Sequence, residues 1–169
     1  MPRTRDPFHD TDPIDAGSGR VIVIGMWIAL VVAIPLAWVH GLQFPQKVNG
    51  RIFIVGLVFL TGGSLLRRHC WHMLGSSFTC DVRVPAGECI VTSGAYAFLR
   101  HPSYTGGILM YTGIGLALGN WASATLLVIS SIAVYSYRIS VEESALLITI
   151  GEPYRVFMRT RKRLIPYVY

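Results

Sequence analysis

The sequence predicts an all-α integral membrane protein with about four transmembrane helices. The last two pair as a helical hairpin, a C-terminal amphipathic helix lies at the interface, and the N- and C-termini are cytoplasmic. Three observations carry this. The 169 residues are 52% hydrophobic and only 14% charged, where a soluble domain carries about a quarter charged residues. The apolar residues fall into four runs separated by turn or polar segments. The basic residues crowd onto one side of the resulting layout. A mean hydropathy of +0.49 also excludes disorder, collagen-like repeats and a charged coiled coil.

Residues 1–20 hold Pro2, Pro7, Pro13, Gly17 and Gly19 among Asp6, Asp10, Asp12 and Asp15. Such a segment cannot bury a core and reads as a flexible tail. It is acidic as well as basic, unlike the leading segment of a signal peptide. Residues 21–169 then form a single transmembrane domain. Its first run, Val21 to Val39, is long enough to cross a bilayer as a helix. Gly25, Ala29, Ala33 and Ala37 recur every four residues, a small-residue stripe that another helix can approach closely, in this chain or in a homodimer. Pro35 kinks this span.

The second run, Ile52 to Leu66, ends at Arg67 and Arg68, which can snorkel to the interface. The third and fourth, Ser103 to Leu118 and Trp121 to Tyr137, flank Gly119-Asn120 and make a tight hairpin. With the N-terminus inside, thirteen basic residues lie on the cytoplasmic side: Arg3, Arg5, Arg20, Arg67, Arg68, Arg83, Arg100, Arg138, Arg155, Arg159, Arg161, Lys162 and Arg163. Only Lys47 and Arg51 lie opposite. The positive-inside rule therefore fixes the orientation. The net charge of +6 is accounted for by anionic membrane lipid, and no nucleic-acid partner is expected.

After the fourth span the helix stops at Gly151 and Glu152-Pro153 opens another. Tyr154, Phe157 and Met158 share one face; Arg155, Arg159, Lys162 and Arg163 lie largely on the other, as in helices that rest on a membrane surface. Cys70, Cys80 and Cys89 form no CxxC pair and read as reduced thiols. His69-Cys70-Trp71-His72 lacks a second ligand cluster, so no metal is expected. The glycines from Gly113 to Gly119 lack the dinucleotide spacing and lie inside an apolar span, where they serve helix packing.

Two segments stand apart from the lipid-facing pattern. In Gly94 to Gly107, Pro102 fits the first position of a helix. Arg100 and His101 then face the same way as its free N–H groups, and a carboxylate or phosphate would be well received. In Arg138 to Leu147, Glu142 and Glu143 are adjacent on a helix and point about 100° apart. Arg138 is placed to pair with Glu142, four residues on, which leaves a carboxylate for hydroxyl or ammonium donors of a ligand.

Together these segments resemble the isoprenylcysteine carboxyl methyltransferase family and, more broadly, the membrane phospholipid methyltransferases. The resemblance runs from about Leu74 to Pro166. It is carried by Gly94-Ala95-Tyr96, Arg100-His101-Pro102-Ser103-Tyr104-Thr105-Gly106, Arg138, Glu142-Glu143, Gly151-Glu152-Pro153-Tyr154 and the basic stretch that follows. Ala95 stands where the family usually has proline, Ala97 where a polar residue is common, and Ile150 in place of an aromatic. The resemblance implies S-adenosyl-L-methionine bound at the cytoplasmic face and a lipophilic or lipidated acceptor arriving from the bilayer. Residues expected to hold the cofactor are Tyr96, Arg100, His101, Pro102, Tyr104, Glu142, Glu143 and Tyr154. Those expected to orient the acceptor or move its proton are Arg138, Glu143, Arg159 and Arg161. The implied reaction is carboxyl O-methylation of a prenylcysteine-like or other lipophilic carboxylate. Phospholipid N-methylation, a sterol-type membrane reductase and a non-enzymatic four-span protein are the alternatives.

Overall fold

The computed structural model describes residues 18–74, 82–83 and 89–165. The expected tail over 1–20 and the end of the basic stretch at Pro166 thus lie, but for Ser18–Arg20, outside the described residues. Five α-helices carry the fold: α1 (Ser18–Leu36), α2 (Gln46–Leu74), α3 (Pro102–Ala117), α4 (Trp121–Thr149) and α5 (Glu152–Thr160). A 3-10 turn spans Gly94–Ala97, and β1 (Val82–Arg83) pairs antiparallel with β2 (Cys89–Ile90), Val82 facing Ile90 and Arg83 facing Cys89.

Three helices, α1, α2 and α4, are long and apolar enough to cross a membrane. The fourth expected span, α3, has 16 residues and is about 24 Å long at 1.5 Å per residue, short of a hydrocarbon core of about 30 Å. Both α2 and α4 outrun the apolar segments that announced them. α2 continues through Arg67 to Leu74, and α4 through Arg138, Glu142 and Glu143 to Thr149. Charged residues end an apolar run without ending a helix, because the backbone hydrogen bonds do not depend on side-chain polarity.

The hairpin turn follows local chemistry. Gly119 adopts φ 71°, and Asn120 caps α4, its Oδ1 accepting from the N–H groups of Ala122 at 2.9 Å and Ser123 at 3.1 Å. The amide of the same Asn120 donates to the Leu36 carbonyl at 3.1 Å, tying the end of α1 to the hairpin.

Helix α3 is sandwiched between α2 and α4, and α1 packs on α4. Two glycine pairs bring α2 and α3 into backbone contact. A Cβ on Gly63 would lie 2.5 Å from the Gly106 carbonyl oxygen, and one on Gly113 would lie 2.5 Å from that of Gly56. The pairing of Gly56 with Gly113 and Gly63 with Gly106 makes the two helices antiparallel. Because backbone blocks each added atom, no side-chain rotation could relieve it.

The small-residue stripe of α1 is used inside the chain. Ala29 and Ala33 are buried, Ser123 of α4 donates to the Ala33 carbonyl at 2.8 Å, and a Cβ on Gly25 would meet Val134 of α4 at 3.1 Å. The outward face, with Ile24, Trp27, Ile28 and Val31, is exposed. The expected interfacial helix also turns partly inward. Gly151, at φ 73°, reverses the chain so that α5 folds back on the end of α4. Tyr154, Phe157 and Met158 then pack with Ile90, Leu146 and Ile150. The face that the sequence assigns to the membrane surface instead forms a small core.

Candidate active site

The start of α3 is where separate parts of the chain meet. Gly94, at φ 57°, sits against Met73 and His69, where a Cβ would clash. The turn it makes sends Leu99–His101 alongside the segment after α5. The Arg100 N–H donates to the Lys162 carbonyl at 2.8 Å, and the His101 N–H to that of Arg163 at 3.1 Å. Thr105 Oγ1 donates to the Leu164 carbonyl at 2.7 Å. The N–H groups of Arg100 and His101 are therefore consumed within the chain, and the anion-receiving character of this end rests on side chains.

Those side chains converge on Glu143. Its Oε1 lies 3.1 Å from Arg100 Nη1 and 3.2 Å from His101 Nε2. Its Oε2 lies 2.9 Å from Arg163 Nη2 and accepts from Arg163 Nε at 3.1 Å. Glu143 is buried, with 3% of its surface exposed. The sequence leaves one of the two carboxylates to a ligand once Arg138 has paired with Glu142. The Arg138–Glu142 pair forms, but Glu142 and not Glu143 is the carboxylate that lines the cavity. Glu143 faces α3 and the C-terminal segment, where three basic groups surround it. Glu142, turned about 100° away, faces a cavity. It accepts from Tyr104 Oη at 2.6 Å, and Arg138 Nε is 3.9 Å away.

That cavity has a volume of about 340 Å³, within the range of small-molecule sites. Tyr96, Arg100, His101, Ser103, Tyr104 and Glu142 form its polar wall; Trp71, Leu74, Leu146, Ile150 and Phe157 form its apolar wall. Ile90, Val91, Tyr154 and Arg67 complete it. Trp71 and Leu74 are exposed on their other side, so the apolar wall continues to the outer surface of α2. Burial pushes the Tyr96 and Tyr154 phenols up, and the nearby Glu143 carboxylate pushes Tyr154 further in the same direction. Both are neutral donors at physiological pH.

Of the eight residues expected to hold a cofactor, Tyr96, Arg100, His101, Tyr104, Glu142 and Tyr154 line the cavity. Pro102 is fully buried at the start of α3 and Glu143 lies behind the wall. Of the arginines expected to orient an acceptor, Arg138 stands beside the cavity, its Nε donating to Tyr104 Oη at 3.3 Å and its Nη1 to Ser18 Oγ. Arg159 and Arg161 line a different cavity, on the other side of Arg100.

Arg67 is the residue that sequence reasoning passed over. Read as an interfacial anchor, it instead reaches the cavity, where its Nη1 donates to Tyr135 Oη at 2.9 Å. Tyr135 fits there because Gly107 has no side chain: a Cβ at Gly107 would collide with the phenol. In sequence Arg67 stands directly after the apolar run that ends at Leu66, and the structure places it about two turns before the end of α2.

The fold and this cavity define a class: helical membrane proteins with a pocket lined by both ionisable and apolar side chains. The chain belongs to the isoprenylcysteine carboxyl methyltransferase family, whose model matches residues 54–148. It is 30% identical to the protein-S-isoprenylcysteine O-methyltransferase of Schizosaccharomyces pombe over 84% of this chain and 67% of that one. It is 26% identical to the enzyme of the same name from Dictyostelium discoideum, over 84% and 61%. With that of Xenopus laevis the identity is 29% over 68% of this chain and 41% of that one. The chain thus spans between 41% and 67% of the length of these relatives. The solved structure of the eukaryotic intramembrane Ras methyltransferase, an isoprenylcysteine carboxyl methyltransferase, superposes with a TM-score of 0.59. That match covers 94% of this chain and 54% of the other at 24% identity, a likeness of fold.

Proposed function

We propose that the protein is an S-adenosyl-L-methionine-dependent methyltransferase that esterifies the carboxylate of a prenylcysteine-like or other lipophilic acceptor. The observation that carries this reading is the two-sided cavity, which offers an ionisable, hydrogen-bonding wall and an apolar wall that continues to the membrane-facing surface of α2. Family membership and the relatives' names support it. The cytoplasmic placement of the site is supported by the side of the layout that holds thirteen of the fifteen basic residues.

The residues present fit the cofactor. Glu142, a carboxylate on the cavity wall, is suited to hydroxyl and ammonium donors. The rings of Tyr96, Tyr104, Tyr154 and Trp71 are suited to an adenine and to a sulfonium cation. Arg100, on the cavity wall, is suited to a carboxylate. When bound, the cofactor supplies an electrophilic methyl group. An acceptor carboxylate is already ionised at neutral pH, so the chain needs no general base and contributes positioning and the exclusion of water. Among the arginines, Arg67 is the one best placed to hold the acceptor. It lines the cavity, and among the described residues its side chain is paired with the Tyr135 hydroxyl and with no carboxylate, which leaves its charge to a ligand. An amine acceptor would instead have to deliver a proton to Glu142, the carboxylate on the cavity wall.

Calorimetric titration of S-adenosyl-L-methionine tests the site. The wild type is expected to bind, and Glu142→Gln to bind roughly 10- to 100-fold more weakly, as for loss of a hydrogen bond to a charged group. Because Glu142 is only partly buried, the thermal midpoint of the variant should match that of the wild type. Equal affinity in the two proteins would remove the cofactor from this cavity.

A further inference from the structure

The second cavity, about 290 Å³ in volume, lies on the far side of Arg100 and has no part in the reading above. Five cationic side chains line it, Arg100, Arg159, Arg161, Lys162 and Arg163, and no carboxylate among the described residues does. Among the described residues Glu143 is the acid that pairs with Arg100 and Arg163, and it is shared between them and His101. Among the described residues, one carboxylate is thus shared by two guanidinium groups before the other cations of the cavity are counted.

The surplus is partly buried. The Arg100 side chain is 9% exposed, and neither its Nε nor its Nη1 has a hydrogen-bond partner among the described residues. Nη1 lies 3.1 Å from Glu143 Oε1 without meeting hydrogen-bond geometry. Arg161 Nε is likewise buried without a partner among the described residues, while its Nη1 donates to the Thr160 carbonyl at 3.2 Å. Buried N–H donors of charged groups that go unmatched destabilise the folded chain, and a ligand that meets them recovers that free energy.

We propose that this cavity binds a phosphate group. A tetrahedral phosphate presents acceptor oxygens in several directions, which suits donors arriving from four arginines and a lysine around one space. A planar carboxylate would meet fewer of them. The group can come from the headgroup of an anionic phospholipid or from a soluble phosphate, and the two sources share this chemistry. Because Arg100 lines both cavities, an occupant of the second holds one wall of the first.

The test uses the purified full chain and reads thermal unfolding. One arm compares inorganic phosphate with chloride at equal ionic strength in neutral detergent. The other compares phosphatidylcholine nanodiscs with and without phosphatidylglycerol. A rise in midpoint of several degrees is expected in at least one arm, and its loss in the Arg161→Gln/Lys162→Gln double variant. A response in the nanodiscs alone identifies a lipid headgroup, and one in detergent a soluble phosphate. Should the double variant fail to fold, Lys162→Gln alone, at an exposed position, is expected to lose part of the shift. The proposal is overturned by no shift beyond chloride in either arm, or by a shift that survives in the variants. It is equally overturned by phosphate competing directly with S-adenosyl-L-methionine, which would make the two cavities one site.

Discussion

Glu143→Gln is expected to lower the thermal midpoint by roughly 10 °C, corresponding to about 3–5 kcal/mol for breaking a buried ion pair. The side chain is 4% exposed and touches Arg100, His101 and Arg163 at once. The neutral amide retains shape and one acceptor but leaves two guanidinium groups with no carboxylate between them. The cluster also fastens three parts of the chain, because Arg100 and His101 open α3, Glu143 belongs to α4, and Arg163 follows α5. Its loss should loosen the C-terminal segment together with the cavity wall. Arg155→Gln is the control. Its pair with Glu152 at 3.2 Å is well exposed on both sides, and such pairs contribute little, so its midpoint should stay at the wild-type value. Equal midpoints for Glu143→Gln and wild type would show that the cluster does not hold the fold together.

Arg67→Gln is expected to reduce kcat/KM for a prenylcysteine acceptor by roughly 10- to 100-fold, equivalent to about 1.5–3 kcal/mol for a charge-assisted hydrogen bond. Affinity for S-adenosyl-L-methionine should be unchanged, since the charged groups suited to it, Glu142 and Arg100, lie on α4 and just before α3. The variant keeps a donor for Tyr135 Oη, now 2.9 Å from Arg67 Nη1, so the loss reports the missing charge. Arg68→Gln, altering the exposed neighbour, should leave both parameters at wild-type values. Were the two substitutions equivalent, Arg67 would be no more than a snorkelling anchor, as its place in the sequence suggests.

What the sequence makes legible is local. The Gly119-Asn120 turn follows from residue chemistry within a few positions: a glycine that tolerates positive φ and an asparagine that caps the next helix. Pro102 at the start of α3 and Gly151 between α4 and α5 are legible for the same reason. Pairings across long separations are not. Gly63 meets Gly106, and Leu99 lies beside Lys162, contacts that no local pattern encodes. Two adjacent carboxylates on a helix must diverge, so the sequence separates Glu142 from Glu143. Which of them meets the cavity depends on how α4 is rotated against α3. Arg67 was obscured by its neighbour, because Arg67-Arg68 at the end of an apolar run looks like a pair of anchors, while Arg68 is exposed and Arg67 is half-buried. Arg159 and Arg161 were expected at the acceptor because they are basic and follow Tyr154. The chain after α5 instead carries them to the far side of Arg100.

The most direct test of the central claim supplies the purified protein with methyl-labelled S-adenosyl-L-methionine and, in parallel, a prenylcysteine analogue or phosphatidylethanolamine. The account predicts base-labile, volatile label with the prenylcysteine analogue, the signature of a methyl ester. Base-stable label in the phospholipid, with none in the prenylcysteine analogue, would contradict it.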